Sequence, residues 1–193
     1  TIIVFTSDHG DMLGERGLWF KMSFFDGSAR VPLTIAGPGI TPRLVTAPVS
    51  TLDVNPTLAD LAGIDIGEIM PWTDGQSLVP LMKGEARTAP VLIEYAAEGS
   101  QAPLVCIREG DWKFSHCELD PPMLFNLKDD PQELTNLAAD PANAALVASW
   151  MERVQARWDL EAYDADVRQS QARRWVVYEA LRNGSYFPWD YQP

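Results

Sequence analysis

Asp8 and His9 stand side by side in Ser7-Asp8-His9-Gly10, an acid next to an imidazole. Such a pair can bind a divalent cation or meet a charged oxygen. The same four residues also make an ordinary turn in which Asp8 caps the next segment. On these residues alone both readings stay open. Gly10, Gly14 and Gly17 leave the following loop free to take positive φ and to approach a ligand closely. Lys21 ends that loop with an ammonium able to hold an anion as a point charge. Without the motif around it, the reading as a solvated surface amine would prevail.

The elements that would position these groups can be read from hydrophobic patterning. Residues 2–6 (IIVFT) predict a strand buried on both faces. Sites in open α/β sheets form where strands end at their carboxyl edge, and there the Asp-His pair falls. Residues 31–36 (VPLTIA) predict a second buried strand, stopped by Gly37-Pro38-Gly39. After a short extended piece at 46–50, Ser50 or Thr51 can cap a helix with Leu52, Leu58, Leu61 and Ala62 on its apolar face. Pro56 falls in its opening turns, and Gly63 is its stop. Asp53 faces the helix dipole in the first turn, a better role for it than ligand. Residues 64–76 read as a surface loop, 77–82 as one or two helical turns, and 84–90 as a junction.

Strands are then predicted at 91–96, 104–108, 112–117 and 123–126, with Gly110-Asp111 as a hairpin turn. A meander of this kind implies an antiparallel sheet with one face covered. The cover is a helix over 141–163, whose stripe is Val147, Trp150, Met151, Val154 and Trp158. Asp140 caps it, with Pro141 at the first helical position. A further helix over 166–181 puts Trp175, Tyr178 and Leu181 on one side and ends at Asn183-Gly184. The last nine residues carry four aromatics, an exposed apolar patch unless they pack on something. His116, on a predicted strand, reads as structural.

Composition narrows the classes. The chain has 193 residues, 46% apolar and 22% charged, which suits a folded protein of one to two domains. A net charge of -12 argues against nucleic acid, because phosphate binding needs clustered Lys and Arg. No apolar run is long enough to span a bilayer. Cys106 and Cys117 read as reduced, partly buried thiols and assign no compartment. The sequence opens inside a strand pattern, so it is expected to be the carboxyl-terminal part of a larger protein, in which any leader would lie upstream of residue 1.

The block from the Asp-His-Gly turn through GLWFKMSFFDGSARVPL resembles the sulfatases of the alkaline phosphatase superfamily. In that family a strand ends in Asp-His-Gly or Asp-Asn-Gly, a glycine-bearing loop follows, and a lysine precedes an Arg-Val-Pro-Leu-like strand. STLDVNPTLADLAGI and LFNLKDDPQELTNLA resemble later sulfatase segments; the acids of the second read as turn and cap chemistry. The GLWFK block and the tail from Arg173 onward look most like the choline-sulfatases. The resemblance implies an α/β fold in three parts. Residues 1–85 would be the carboxyl-terminal segment of an alkaline-phosphatase-like α/β sheet. Residues 86–165 would be a small α+β subdomain, a short antiparallel sheet covered by a helix, and 166–193 a helical and aromatic extension.

The resemblance also implies the chemistry: hydrolysis of a sulfate monoester, most closely choline sulfate to choline and sulfate. Asp8 would be a hard-oxygen ligand to a divalent metal ion, Ca²⁺ ahead of Mg²⁺ or Mn²⁺. His9 would contact that metal or, better suited to an imidazole, the substrate or nucleophile. Lys21 would hold a sulfate oxygen. Sulfatases use a formylglycine nucleophile made within a Cys-x-Pro-x-Arg type motif. Here Cys106 precedes Ile107-Arg108 and Cys117 precedes Glu118-Leu119, so the nucleophile is expected upstream and this chain is expected to be inactive alone. Its first partner is then the remainder of the catalytic domain. A quaternary ammonium offers no hydrogen-bond donor and needs aromatic faces with a carboxylate. Trp19, Phe20, Glu94, Glu98, Trp189 and Asp190 are the candidates, the tail reaching a neighbouring subunit of a homo-oligomer. One rival keeps the site but changes the substrate: an arylsulfatase, or a phosphonate or phosphodiester hydrolase of the same superfamily. The other is a noncatalytic association module in which the Asp-His turn is inert.

Overall fold

The computed structural model describes residues 1–184. Along them run β1 (Ile3–Thr6), α1 (Asp26–Ala29), β2 (Leu33–Ala36), α2 (Val54–Leu61), α3 (Ile66–Ile69) and α4 (Val79–Met82). After these come β3 (Val91–Tyr95), β4 (Leu104–Glu109), β5 (Trp112–Cys117), β6 (Asp120–Asn126), α5 (Ala144–Arg157) and α6 (Leu160–Arg182). No helix among the described residues is long and apolar enough to cross a membrane.

The strand that leads to Asp8 pairs antiparallel with β2, Phe5 opposite Thr34 and Thr6 opposite Leu33. Burial on both faces, expected from its run of apolar residues, is not found. Ile3 and Phe5 are each 64% exposed, because a two-stranded ribbon has no second layer over either face. Residues 46–50 take no strand pairing.

The helix after Ser50 starts as expected but buries a different side. Ser50 accepts from the Leu52 N–H at 3.2 Å, while Asp53 accepts from the Ser50 N–H at 2.8 Å, a reciprocal cap. Asp53, Pro56 and Thr57 are buried, whereas Leu52 and Leu58 are 56% and 42% exposed. Polar bonds decide this. Asp53 also accepts from the Gln76 N–H at 2.8 Å and pairs with Arg87 at 3.1 Å. Thr57 accepts from the Leu78 N–H at 2.8 Å. The loop and α4 are thereby strapped to the capped end of α2, a structural use of Asp53 that leaves no need for a ligand role.

The second sheet is an antiparallel meander in the order β3-β4-β5-β6, with Gly110-Asp111 as the two-residue turn between β4 and β5. Alternation along its strands divides two faces. On one, Val105, Ile107, Phe114 and Leu124 pack under α5 through Trp150 and Val154. The Phe114 and Trp150 rings lie 6.1 Å apart at an interplanar angle of 20°. The expected cap of this helical region is present, Asp140 accepting from the Ala142 N–H at 2.9 Å with Pro141 following it.

Two expectations about this part need correcting. Only one covered face is implied by a meander, yet Cys106, Lys113, Ser115 and Phe125 on the opposite face are buried as well. The loop around α1 covers them: Phe25 packs on Phe125 at 6.1 Å and Asp26 on Lys113. The terminal helix, read as continuous to 163, breaks at Trp158, whose φ of -125° and ψ of 134° are extended. Trp158 Nε1 donates to Glu94 at 2.6 Å, and Asp159 caps a new helix by accepting from the Ala162 N–H at 2.9 Å. That helix, α6, therefore begins at Leu160 rather than 166. Cys106 and Cys117 are free buried thiols, as expected, and burial pushes Cys106 up to about 12.

Candidate active site

β1 delivers the chain to Ser7, whose hydroxyl donates to the His9 carbonyl at 2.9 Å and to Asp8 Oδ1 at 3.3 Å. This small turn sets Asp8 and His9 on one side. Asp8 Oδ2 lies 3.5 Å from His9 Nε2, with the Asp8 side chain 85% exposed and that of His9 36%. The backbone N–H of His9, then that of Asp8 itself, and then the nearby imidazole hold the Asp8 carboxyl below its ordinary value. His9 Nδ1 is 2.8 Å from the Gly10 carbonyl. A carbonyl can only accept, so Nδ1 carries the proton and, in the neutral ring, Nε2 keeps a lone pair beside the carboxylate. An ionised carboxylate next to such a nitrogen is the donor chemistry of a metal or proton-transfer site. No group of three or more His, Cys, Asp or Glu that could hold a metal ion occurs among the described residues. The Asp8-His9 pair presents two donor atoms 3.5 Å apart.

Gly10 is where this turn meets the Lys21 loop. Its N–H donates to the Ser28 carbonyl at 2.8 Å, and a Cβ placed on it would meet the Gly27 carbonyl oxygen at 2.2 Å. Only glycine allows that approach. Ser28, buried on α1, donates its hydroxyl to the Lys21 carbonyl, which also accepts from the Ser23 N–H at 2.8 Å. The Asp8-His9 turn and Lys21 thus share one intermediary. The Lys21 side chain is exposed, as are Trp19 at 64% and Phe20 at 66%. Gly14 and Gly17 take positive φ as the sequence predicts, joined by Leu13 and Arg16 at 52° and 56°. Arg16 holds its place by donating to the Gln132 and Glu133 carbonyls and lying over the Phe25 ring at 4.2 Å.

A buried ion cluster fixes the far side of α1. Lys113 Nζ is 2.7 Å from both Asp26 Oδ1 and Glu133 Oε1, and Glu133 also accepts from the Asp26 N–H at 2.7 Å. Glu133, read in sequence as turn chemistry, is in fact buried and holds φ at 56°. Its neighbour Asp130 keeps the expected turn role, accepting from the Thr135 N–H at 2.8 Å. Sequence reasoning missed Ser28, Asp26, Lys113 and Glu133. Lys113 alternates with Phe114 and so falls on the sheet face expected to meet water, and residue type gave no sign of its burial.

The other candidates are engaged elsewhere. Glu94 accepts from Trp158, and Glu98 takes the Tyr95 hydroxyl, through its carbonyl at 2.7 Å and its carboxylate at 3.4 Å. Trp189 and Asp190, with the expected tail contact, lie outside the described residues. A cavity of about 580 Å³ at the α5–α6 elbow is lined by His116, Glu118, Trp158 and Glu161 among others. It contains none of the candidate residues, and its shape says nothing about the Asp8 turn.

A family model described as N-sulphoglucosamine sulphohydrolase, C-terminal, matches residues 14–159. The chain belongs to the sulfatase family. A second model, choline sulfatase enzyme C terminal, matches residues 165–193 of this sulfatase chain. The choline-sulfatase of Rhizobium meliloti (strain 1021) is 66% identical over 196 residues, covering 100% of this chain and 38% of that protein. Arylsulfatase K of Danio rerio is 39% identical over 152 residues, covering 72% and 28%. Among solved structures, a 2-O GAG sulfatase superposes with a TM-score of 0.71 at 32% identity, over 88% of this chain and 38% of that one. The phosphonate monoester hydrolase of Agrobacterium radiobacter gives 0.65 at 32%, over 85% and 35%. This chain therefore spans well under half of each of these proteins. The sulfatase resemblance read from the Asp-His-Gly and Arg-Val-Pro-Leu blocks is borne out, and so is the mixed α/β fold. Sulfatases generally use a divalent metal and a formylglycine nucleophile.

Proposed function

We propose that this chain is the carboxyl-terminal portion of a sulfuric ester hydrolase that cleaves choline sulfate to choline and sulfate. The observation that carries the reading is the tie, through Ser28, between the Asp8-His9 turn and the loop of Lys21. A sulfate monoester brings negative charge to a nucleophile, so positive charge must surround its oxygens before the alkoxide can leave. In this reading Lys21 places its ammonium on a sulfate oxygen. Asp8, held in its ionised form, is a ligand to the divalent ion, Ca²⁺ ahead of Mg²⁺ or Mn²⁺. When bound, that ion adds charge at the sulfate and acidifies the nucleophile. His9, with Nδ1–H fixed on Gly10, offers Nε2 to the metal or to a proton on the substrate or nucleophile side.

The formylglycine and the remaining acidic ligands belong to the rest of the catalytic unit, of which residues 1–85 are one part. By itself this chain is inactive. Choline would meet Trp19 and Phe20, whose exposed rings support the assignment, together with Glu94, Glu98, Trp189 and Asp190. Glu94 and Glu98 enter only if they release their present partners. The extension at 166–193 would carry the tail to a second subunit. The 66% identity to a choline-sulfatase over the whole chain supports choline as the alcohol. An aryl sulfate or an aryl phosphonate is the competing substrate, favoured by the likeness to arylsulfatase K and to the phosphonate monoester hydrolase.

The test compares turnover of choline sulfate, an aryl sulfate and an aryl phosphonate by the complete protein. Choline sulfate should give the highest kcat/KM, and a higher value for either competitor overturns the substrate assignment. Asp8→Asn should lower bound metal and activity together. Lys21→Ala should lower kcat/KM by about 10²–10³-fold, the scale of removing one oxyanion contact. Activity indifferent to both changes would remove the site.

A further inference from the structure

Among the described residues, Ser28 bonds to both halves of the candidate site. Its carbonyl takes the Gly10 N–H at 2.8 Å, on the side of Asp8 and His9, and its hydroxyl donates to the Lys21 carbonyl. It is 2% exposed, so neither bond competes with bulk water. Its own N–H donates to the Phe25 carbonyl at 2.9 Å, which closes the α1 turn and fixes the direction of the other two. Gly27 beside it supplies the carbonyl on which Gly10 rests, and the Lys113–Asp26–Glu133 cluster holds the turn from the opposite side. Lys21 itself has only an anchored backbone. Its four-carbon stem is exposed and rotamer-rich, so the placement of its Cα decides which volume the ammonium can sample.

We propose that Ser28 is a positioning residue for sulfate-ester hydrolysis, acting through its hydroxyl on Lys21 while its carbonyl holds the Asp8-His9 turn in register. The proposal rests on the reading of Lys21 as the sulfate contact. It assigns a role to a buried serine that touches no substrate and lies in a helix of one turn.

A double-mutant cycle in the complete enzyme tests it, with choline sulfate as substrate. Ser28→Ala should lower kcat/KM about tenfold, the scale of one hydrogen bond, with bound metal and melting temperature close to the parent's. Ser28→Thr, which keeps the hydroxyl, should restore most of the loss. In a Lys21→Ala background the same Ser28→Ala change should cost less than about twofold, because the residue it acts through is gone. Equal losses in both backgrounds would mean a general structural role and overturn the proposal, as would no loss in the parent. Ser28→Cys keeps the volume and weakens the donor, so the cycle can be run with it without emptying a buried site. If Lys21→Ala has no effect on turnover, the functional reading fails instead, and the two failures are told apart by that single variant.

Discussion

Gly10 shows how little room the site leaves at the level of one residue. Its Cα lies against the Gly27 carbonyl, and a methyl group would occupy the position of that oxygen. Gly10→Ala must therefore push the Asp8-His9 turn away from α1 and break the bond to the Ser28 carbonyl. The expected result in the complete enzyme is a drop in kcat/KM of at least about tenfold and a lower melting temperature, since backbone clashes are not relieved by a rotamer change. Turnover and melting unchanged from the parent would mean that the turn is free to move. Asp8, His9 and Lys21 stand out in the sequence as candidates, their roles resting on the proposed function, because each carries a charge or an imidazole within a motif of fixed order. Ser28 was not legible. Its hydroxyl is one of many in the chain, and nothing in residue type distinguishes the one whose backbone faces Gly10.

Among the elements, the small sheet was read most closely, and α2 least. Strand positions 112–117 match β5 residue for residue, because alternation along a strand with a covered face leaves a period of two. For α2 the apolar count pointed to Leu52 and Leu58, whereas hydrogen bonds to Asp53 and Thr57 choose the buried side. Propensity and periodicity do not register such long-range polar bonds. The α5 contact allows a direct measure of packing. Trp150→Ala removes the ring stacked near Phe114 and lying under Arg153 at 4.2 Å. It should destabilise the fold by about 3–5 kcal/mol in a denaturant titration.

β5 also carries a pH effect. Burial pushes the His116 imidazole below its ordinary 6.5, against a weaker opposing pull from Glu118. The fold thus favours the neutral ring, and the unfolded chain takes up the proton first as pH falls. This contribution is fully present above 6.5 and is lost as pH drops through that value towards the lower folded one. Melting temperatures taken across that window should fall less steeply for His116→Gln than for the parent. Parallel slopes would mean that the ring is solvated.

At the scale of the whole molecule, the sheet and the candidate site are mechanically joined. The loop carrying Lys21 covers the sheet face opposite α5, and Lys113 sits between Asp26 of the loop and Glu133 of the segment after β6. Removing one member of a buried charged cluster leaves the others uncompensated, at a cost of about 3–5 kcal/mol. Lys113→Met should therefore lower stability by that amount. It should also reduce turnover of the proposed substrate, choline sulfate, in the complete protein at temperatures where the protein is still folded. Full activity in a destabilised variant would show that the loop holds its shape without the sheet. This coupling was invisible in the sequence, since its partners are far apart along the chain and individually resemble surface residues.

Glu133 follows Asp26 by 107 positions and yet accepts from its backbone. A change in the segment after β6 can therefore reach Lys21 by way of α1. Variants sorted only by distance from the substrate would be misjudged here. Glu133 should tolerate replacement no better than the residues proposed to hold the ester.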